Sequence, residues 1–127
     1  MDFISVVSRT VRFVNTTPHE IKLVWAEGEE FVVQPSGILV NAKILEEDAG
    51  KHPSGAVLVR TRFSVSEADS AKLDEIEAAH PGCVILGSII AAQAFPGRVL
   101  ALTPAPGFER VPVSEKTMRA DKFTTFA

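Results

Sequence analysis

The hydrophobic and polar positions of the first half of the chain follow the two-residue period of β-strands. Thr10-Val11-Arg12-Phe13-Val14 alternates from side to side and is rich in β-branched residues. Asn15-Thr16-Thr17-Pro18-His19 is turn chemistry. Ile21 to Trp25 gives a second strand, and Ala26-Glu27-Gly28-Glu29-Glu30 supplies a hairpin connection to a third at Phe31-Val32-Val33. Pro35-Ser36-Gly37 makes a further turn, with Pro fixing φ at its second position. A fourth strand is predicted from Ile38 to Leu45, then an exposed loop from Glu46 to Gly55, which carries Gly50, Pro53 and Gly55. Ala56 to Val65 is the clearest strand: Val57, Val59, Thr61 and Phe63 share one face, and Leu58, Arg60 and Arg62 the other.

After Val65 the period changes. Ser66 is an N-cap, with Asp69 three residues on to favour the free amides and the positive end of the helix dipole. Leu73, Ile76 and Ala79 or His80 form one narrow apolar stripe, Asp74, Glu75 and Glu77 face water, and Pro81-Gly82 ends the helix. Cys83 to Leu86 reads as a short buried strand. Gly87 to Phe95 reads as a second helix, apolar nearly all round until Pro96-Gly97, and such a helix is buried on most sides, within the domain or at a subunit interface. A strand at Val99–Thr103, a proline-rich connection at Pro104–Pro112, a helical turn at Ser114–Met118 and a last strand at Lys122–Phe126 complete the reading. Strands come first and the two helices fall in the second half, so the pattern predicts one α+β domain over residues 1–127. Its sheet is expected to be mostly antiparallel and to curl into a barrel-like form.

Composition narrows this picture. At 127 residues the chain can bury roughly two-thirds of the surface its unfolded form exposes, enough for a core without disulfides or metals. The formal charge of −3 lacks the basic excess of a phosphate-driven nucleic-acid binder, so no nucleic-acid partner is expected. The charge is uneven: residues 66–97 hold one basic and five acidic groups, and residues 98–127 hold five basic and three acidic. An acidic helix and a basic tail can attract each other within the fold or between subunits. Cys83 is the lone cysteine, so no intrachain disulfide can form and the thiol is expected to be an inert buried hydrophobe. The opening Met-Asp-Phe-Ile-Ser-Val-Val-Ser-Arg lacks the basic region and long apolar core of a signal peptide. The longest uncharged stretch, Pro81 to Gly97, is 17 residues long and broken by Gly82, Gly87 and Pro96, so no membrane span is expected. These features point to a reducing compartment, the cytoplasm.

Recognised catalytic and cofactor signatures are missing: no Gly-rich phosphate loop, His-Glu-x-x-His, Gly-x-Ser-x-Gly or Cys pair occurs. The reading therefore leans away from an enzyme and assigns no catalytic residue, metal or cofactor. The most distinctive segment is Asn15-Thr16-Thr17-Pro18-His19-Glu20. In a structural role, Asn15 and Thr17 satisfy turn amides, Pro18 stiffens the turn, and His19 is at least half buried against a nearby backbone group. In a functional role, the same segment sets an imidazole and hydroxyls at the mouth of a sheet. Arg60 and Arg62, side by side on one strand face, could grip a small anionic ligand, or could face solvent paired with Glu29, Glu30 or Glu46. Ser88 serves as a helix cap or as a donor to an anion. The candidate ligand-binding set is thus Asn15, Thr17, His19, Arg60, Arg62 and Ser88.

The turn segment also resembles the opening of a family of small uncharacterised proteins of phages, prokaryotes and fungi. Their pattern is a short strand, Asn-Leu-Thr-Pro-His, a strand, a Pro-Ser-Gly turn, and later an apolar Ile-Val-Ser strand-to-helix segment. Here Asn15, Thr17, Pro18 and His19 match the first motif, with Thr16 in place of the usual Leu, Pro35-Ser36-Gly37 matches the second, and Ile85-Leu86-Gly87-Ser88 approximates the third. The arginine that often follows the family's glycine is absent, the nearby positions being Val40, Asn41 and Lys43, while the ending from Phe108 to Phe126 resembles a fungal version. The resemblance covers residues 10–103 and implies no activity. The leading expectation is a non-enzymatic binding or assembly protein, homo-oligomeric through the Ile89–Phe95 helix or an exposed sheet edge. The alternative is a small-ligand sensor or enzyme with an anion-binding pocket where His19, Arg60, Arg62 and Ser88 converge.

Overall fold

The computed structural model describes residues 2–112 and 115–127. In chain order its elements are β1 (Val6–Ser8), β2 (Val11–Asn15), β3 (Ile21–Val24), β4 (Glu30–Val33), β5 (Lys43–Lys51), β6 (Val57–Ser64), α1 (Glu67–Ala79), β7 (Val84–Gly87), α2 (Ile89–Ala94), β8 (Leu100–Pro104) and β9 (Thr117–Thr124). Seven strands form one sheet in the order β1-β2-β7-β8-β9-β3-β4. An isolated bridge from Asn15 to Pro35 brings the end of β4 back to β2, so the sheet nearly closes on itself as a barrel. The expected barrel-like α+β architecture is present, but the sheet is mixed rather than mostly antiparallel. β2–β7, β7–β8 and β3–β9 are parallel, and β1–β2, β8–β9 and β3–β4 antiparallel. The β7–α2–β8 unit is a helical crossover, which joins parallel neighbours.

Alternation along the strands produces two cores, one on each side of the sheet. Phe13, Leu23, Val33, Leu86 and Ala120 fill the barrel interior, while Val14, Ile85 and Ala101 point outward beneath the helices. One mouth of the barrel is stopped by aromatic rings, with Phe13 at 5.3 Å from Phe31 and 6.3 Å from Trp25 between centroids. There the β1–β2 hairpin turns through Arg9-Thr10, both at positive φ (50° and 65°), the twist a two-residue hairpin needs. Arg9 is held from outside, donating to Glu27 at 2.7 Å with its guanidinium 4.9 Å from the Trp25 ring centroid. Trp25 Nε1 donates to Ser8 Oγ at 2.8 Å, so side chains tie the first hairpin to the second.

The outer core lies under α1 and α2. Ser66 caps α1, accepting from the Asp69 amide at 3.0 Å, and Leu73 and Ile76 are its buried stripe, as the sequence predicts. Ile38 and Val40 join that cluster from an irregular segment. α2 lies in the same core through Ala91, Ala92 and Phe95, and only Ile89 stands well out, at 60% exposure. The attraction between acidic helix and basic tail runs through Arg98, which donates to Glu77 at 2.8 Å and Asp74 at 2.6 Å.

Three segments differ from expectation. β1 is an additional strand ahead of Thr10. The strand expected from Ile38 to Leu45 starts only at Lys43 and continues through the supposed loop to Lys51, because its polar residues pair with β6 in a ribbon open to water. At the far end β9 runs over Thr117–Thr124, so Thr117 and Met118 are strand rather than helical turn; Ser114 lies outside the described residues. Among the described residues no helix is long and apolar enough to cross a membrane.

Candidate functional site

Six residues were singled out by sequence, and the fold divides them between two places. Asn15 is fully buried at the carboxyl end of β2. Its Nδ2 donates to the carbonyls of His19 at 2.6 Å and Val33 at 3.2 Å, and its Oδ1 accepts from the amide and hydroxyl of Thr17 at 2.9 and 2.7 Å. Its own carbonyl accepts from the Ser36 amide at 2.9 Å. One side chain thereby fixes the turn, clamps β4 to β2 and holds the barrel shut. Buried amides must find partners, and this one finds them all.

Thr16, beside it, is also buried and binds the Leu86 carbonyl twice, through its amide at 2.9 Å and its hydroxyl at 2.7 Å. The three segments singled out by motif, Asn15–His19, Pro35–Gly37 and Ile85–Ser88, therefore meet at one junction at the upper mouth of the barrel. Gly87 is needed there for space: a Cβ on it would lie 2.5 Å from Val99 Cγ1 and 3.2 Å from Thr16 Oγ1.

His19 departs from expectation. Its backbone is bonded into the turn, but its ring is exposed, and no group among the described residues bonds the imidazole. Pro18 fixes the backbone and leaves the side chain free to point away. Thr17, His19 and Ser88 line a common cleft of about 370 Å³ at the barrel mouth. Ile21, Leu102 and Met118 give it an apolar floor, and Lys22, Glu115 and Lys116, none of which sequence reasoning selected, add charge to its rim. Only the return of β3 and β9 to this mouth brings those three lysine and glutamate side chains together. Ser88 Oγ accepts from the Ala91 amide at 3.1 Å, which leaves its O–H to donate elsewhere.

Arg60 and Arg62 are not part of this cleft. They lie on β6, where both pair with Glu47 across the ribbon rather than with Glu29, Glu30 or Glu46. The pocket expected from His19, Arg60, Arg62 and Ser88 together does not form, because the cleft that His19 and Ser88 line includes neither arginine.

That two-stranded arm is the second candidate surface. Antiparallel pairing runs from Lys43–Ser64 to Asp48–Val59 before the register shifts. Ile44, Leu45, Val57, Leu58 and Val59 are all exposed, Val57 at 66%. Ile44, Val57, Val59 and Phe63 share one face with Glu46 and Asp48, while Arg60, Arg62 and Glu47 share the other with Leu45 and Leu58, so exposed apolar residues lie on both sides of the arm. At the aromatic end of the outer core, Cys83 is half buried, and burial, reinforced by Glu77, pushes its thiol above the ordinary 9.0. Comparison with known proteins finds no family model, curated protein or solved structure that matches the chain.

Proposed function

We propose that this protein is a non-enzymatic binding and assembly protein of the cytoplasm that associates with further copies of itself through the β5–β6 arm. The observation that carries this reading is the arm: a two-stranded ribbon with five large apolar side chains open to solvent. An isolated hairpin is marginal in water and needs a third strand or a packed face to hold it. Ile44, Val57 and Val59 on one face and Leu45 and Leu58 on the other leave both sides of the ribbon partly apolar, and exposed apolar surface of this kind marks an association site. The net charge of −3 opposes association only weakly. Likeness to the phage, prokaryotic and fungal family belongs to the same reading, supported by the junction its three motifs form. Sedimentation over about a hundredfold concentration range tests it, since mass action makes association concentration-dependent. Wild-type protein is expected to show a mass above the monomer, and a Val57→Lys, Val59→Lys protein the monomer mass. A wild-type monomer throughout would remove the reading.

A small-ligand sensor is the second reading, favoured by the cleft that joins Thr17, His19 and Ser88. Without Arg60 and Arg62 its rim carries both signs of charge, which does not favour a simple anion.

A further inference from the structure

We infer that the barrel-mouth cleft is a binding site for a small zwitterion with an apolar body, of the class of the apolar α-amino acids; this rests on the sensor reading and not on self-association. Four observations lead there. The cleft's volume of about 370 Å³ lies within the roughly 300–1,000 Å³ typical of small-ligand sites. Its floor of Ile21, Leu102 and Met118 accepts an apolar group, and Leu102 and Met118 continue into the barrel core, so the floor is rigid.

The charges on the rim come in both signs and stand side by side. Glu115 and Lys116 are consecutive residues at the entry to β9, and both line the cleft. An α-amino acid carries its ammonium and carboxylate on one carbon, the same arrangement of neighbouring opposite charges. A purely anionic ligand would meet Glu115 as well as Lys116, and a purely cationic one the reverse. Glu20 and Lys22, the other charged pair on the rim, already have partners: Gln34 donates to Glu20 at 3.2 Å, and Lys22 lies 3.4 Å from Glu30.

The wall opposite is built to hold donors still. Asn15 and Thr17 spend their polar atoms on the turn, so the fold accounts for both. It does not account for the His19 ring, which that rigid turn presents to the cleft without a partner among the described residues. Ser88 presents a hydroxyl whose acceptor lone pair is used and whose proton is not. His19 and Ser88 supply hydrogen bonds to the carboxylate beside Lys116, Glu115 receives the ammonium, and the side chain lies on the floor.

Calorimetric titration of the intact chain with leucine, 4-methylpentanoate and 3-methylbutylamine tests this, since the three share one apolar body and differ in which charges they carry. Leucine is expected to bind, and each single-charge analogue about tenfold more weakly or worse, as one unmet charged hydrogen bond costs. Ser88→Ala and Lys116→Ala should weaken leucine binding about tenfold, whereas Arg60→Ala, on the arm, should leave it unchanged. His19, Ser88 and Lys116 lie at the surface of the cleft, so a melting curve for each variant verifies that the fold survives. An analogue with one charge that binds as tightly as leucine would overturn the amino-acid assignment and leave the sensor reading standing. Absence of binding by all three at millimolar concentration would overturn the amino-acid assignment. Leucine binding that Lys116→Ala and Ser88→Ala leave intact would show that the ligand sits elsewhere and would overturn the site.

Discussion

Asn15 and His19, four residues apart in one motif, have opposite roles, and unfolding experiments should separate them. Asn15→Ala removes four side-chain hydrogen bonds, among them the one to the Val33 carbonyl in the core. At about 1 kcal/mol for a typical bond, the loss should be about 2–4 kcal/mol. His19→Ala touches only an exposed ring and should stay within about 0.5 kcal/mol of wild type. A urea midpoint that falls as far for His19→Ala as for Asn15→Ala would contradict the exposed placement. The structural role of Asn15 and Thr17 was legible because Asn and Thr side chains bond their own turn amides, a local event. The direction of the His19 ring was not, since Pro18 fixes its own φ and restricts Thr17 but leaves χ1 of His19 free. Cys83 makes a second residue-scale test. Its thiol is raised above 9.0 by burial and by the nearby Glu77, so the reactive thiolate is scarcer at any neutral pH than on an exposed cysteine. Labelling of native protein at pH 8 should be slower than in denaturant and should keep rising with pH after that of the denatured protein has levelled off; equal rates in the two states would contradict its burial.

Single elements were most legible where local chemistry decides them. Ser66, Asp69, Leu73 and Ile76 specify α1 without help from the rest of the chain. β5 was lost because Glu46, Glu47 and Asp48 resemble a loop, and an acidic run reads as strand only once its partner across the ribbon is known. α2, apolar on nearly every side, could be a plug or a docking face, and sequence alone does not separate them. The structure resolves it through space: Ala91, Ala92 and Phe95 go into the core and Ile89 is left. The strand-to-helix junction ahead of α2 is tight, and Gly87→Ala would drive a Cβ to 2.5 Å from Val99 Cγ1. Overpacking of this kind costs about 1–3 kcal/mol, readable as a lower urea midpoint. In a double-mutant cycle, Gly87→Ala should cost less on a Val99→Ala background than in wild type, because the clashing methyl is gone there. An equal cost of Gly87→Ala on both backgrounds would mean that the Thr16 hydroxyl, 3.2 Å from the same Cβ, is the controlling contact.

At the scale of the whole molecule, the strand order was the least legible feature, because it is set by contacts between the two ends of the chain. β2 lies beside β7, with Thr16 bonded to a carbonyl 70 positions further on, and β3 lies beside β9. No local pattern announces such pairings. The same remoteness governs how the protein folds. Loop-closure entropy must be met before β2–β7 and β3–β9 contacts repay it, so folding should belong to the slow class of β-rich domains, milliseconds to seconds. Trp25, the lone tryptophan, sits where the first hairpin meets the second and reports on closure. The outer face of the arm around Val59 should be silent in this measurement, since β5 and β6 pair only with each other and β6 meets the rest of the fold through α2. At concentrations low enough to keep the protein monomeric, Val59→Lys should therefore leave both folding and unfolding rates unchanged. Phe13→Ala, which empties a fully buried site at the centre of the aromatic cluster, should cost about 3–5 kcal/mol. Part of that cost should appear in the folding rate if the barrel interior is already assembled at the transition state. Stopped-flow fluorescence of Trp25 reads all three proteins. A Val59→Lys protein that folds more slowly as a monomer would show that the ribbon is coupled to the barrel, and that its apolar surface serves the fold rather than a second copy.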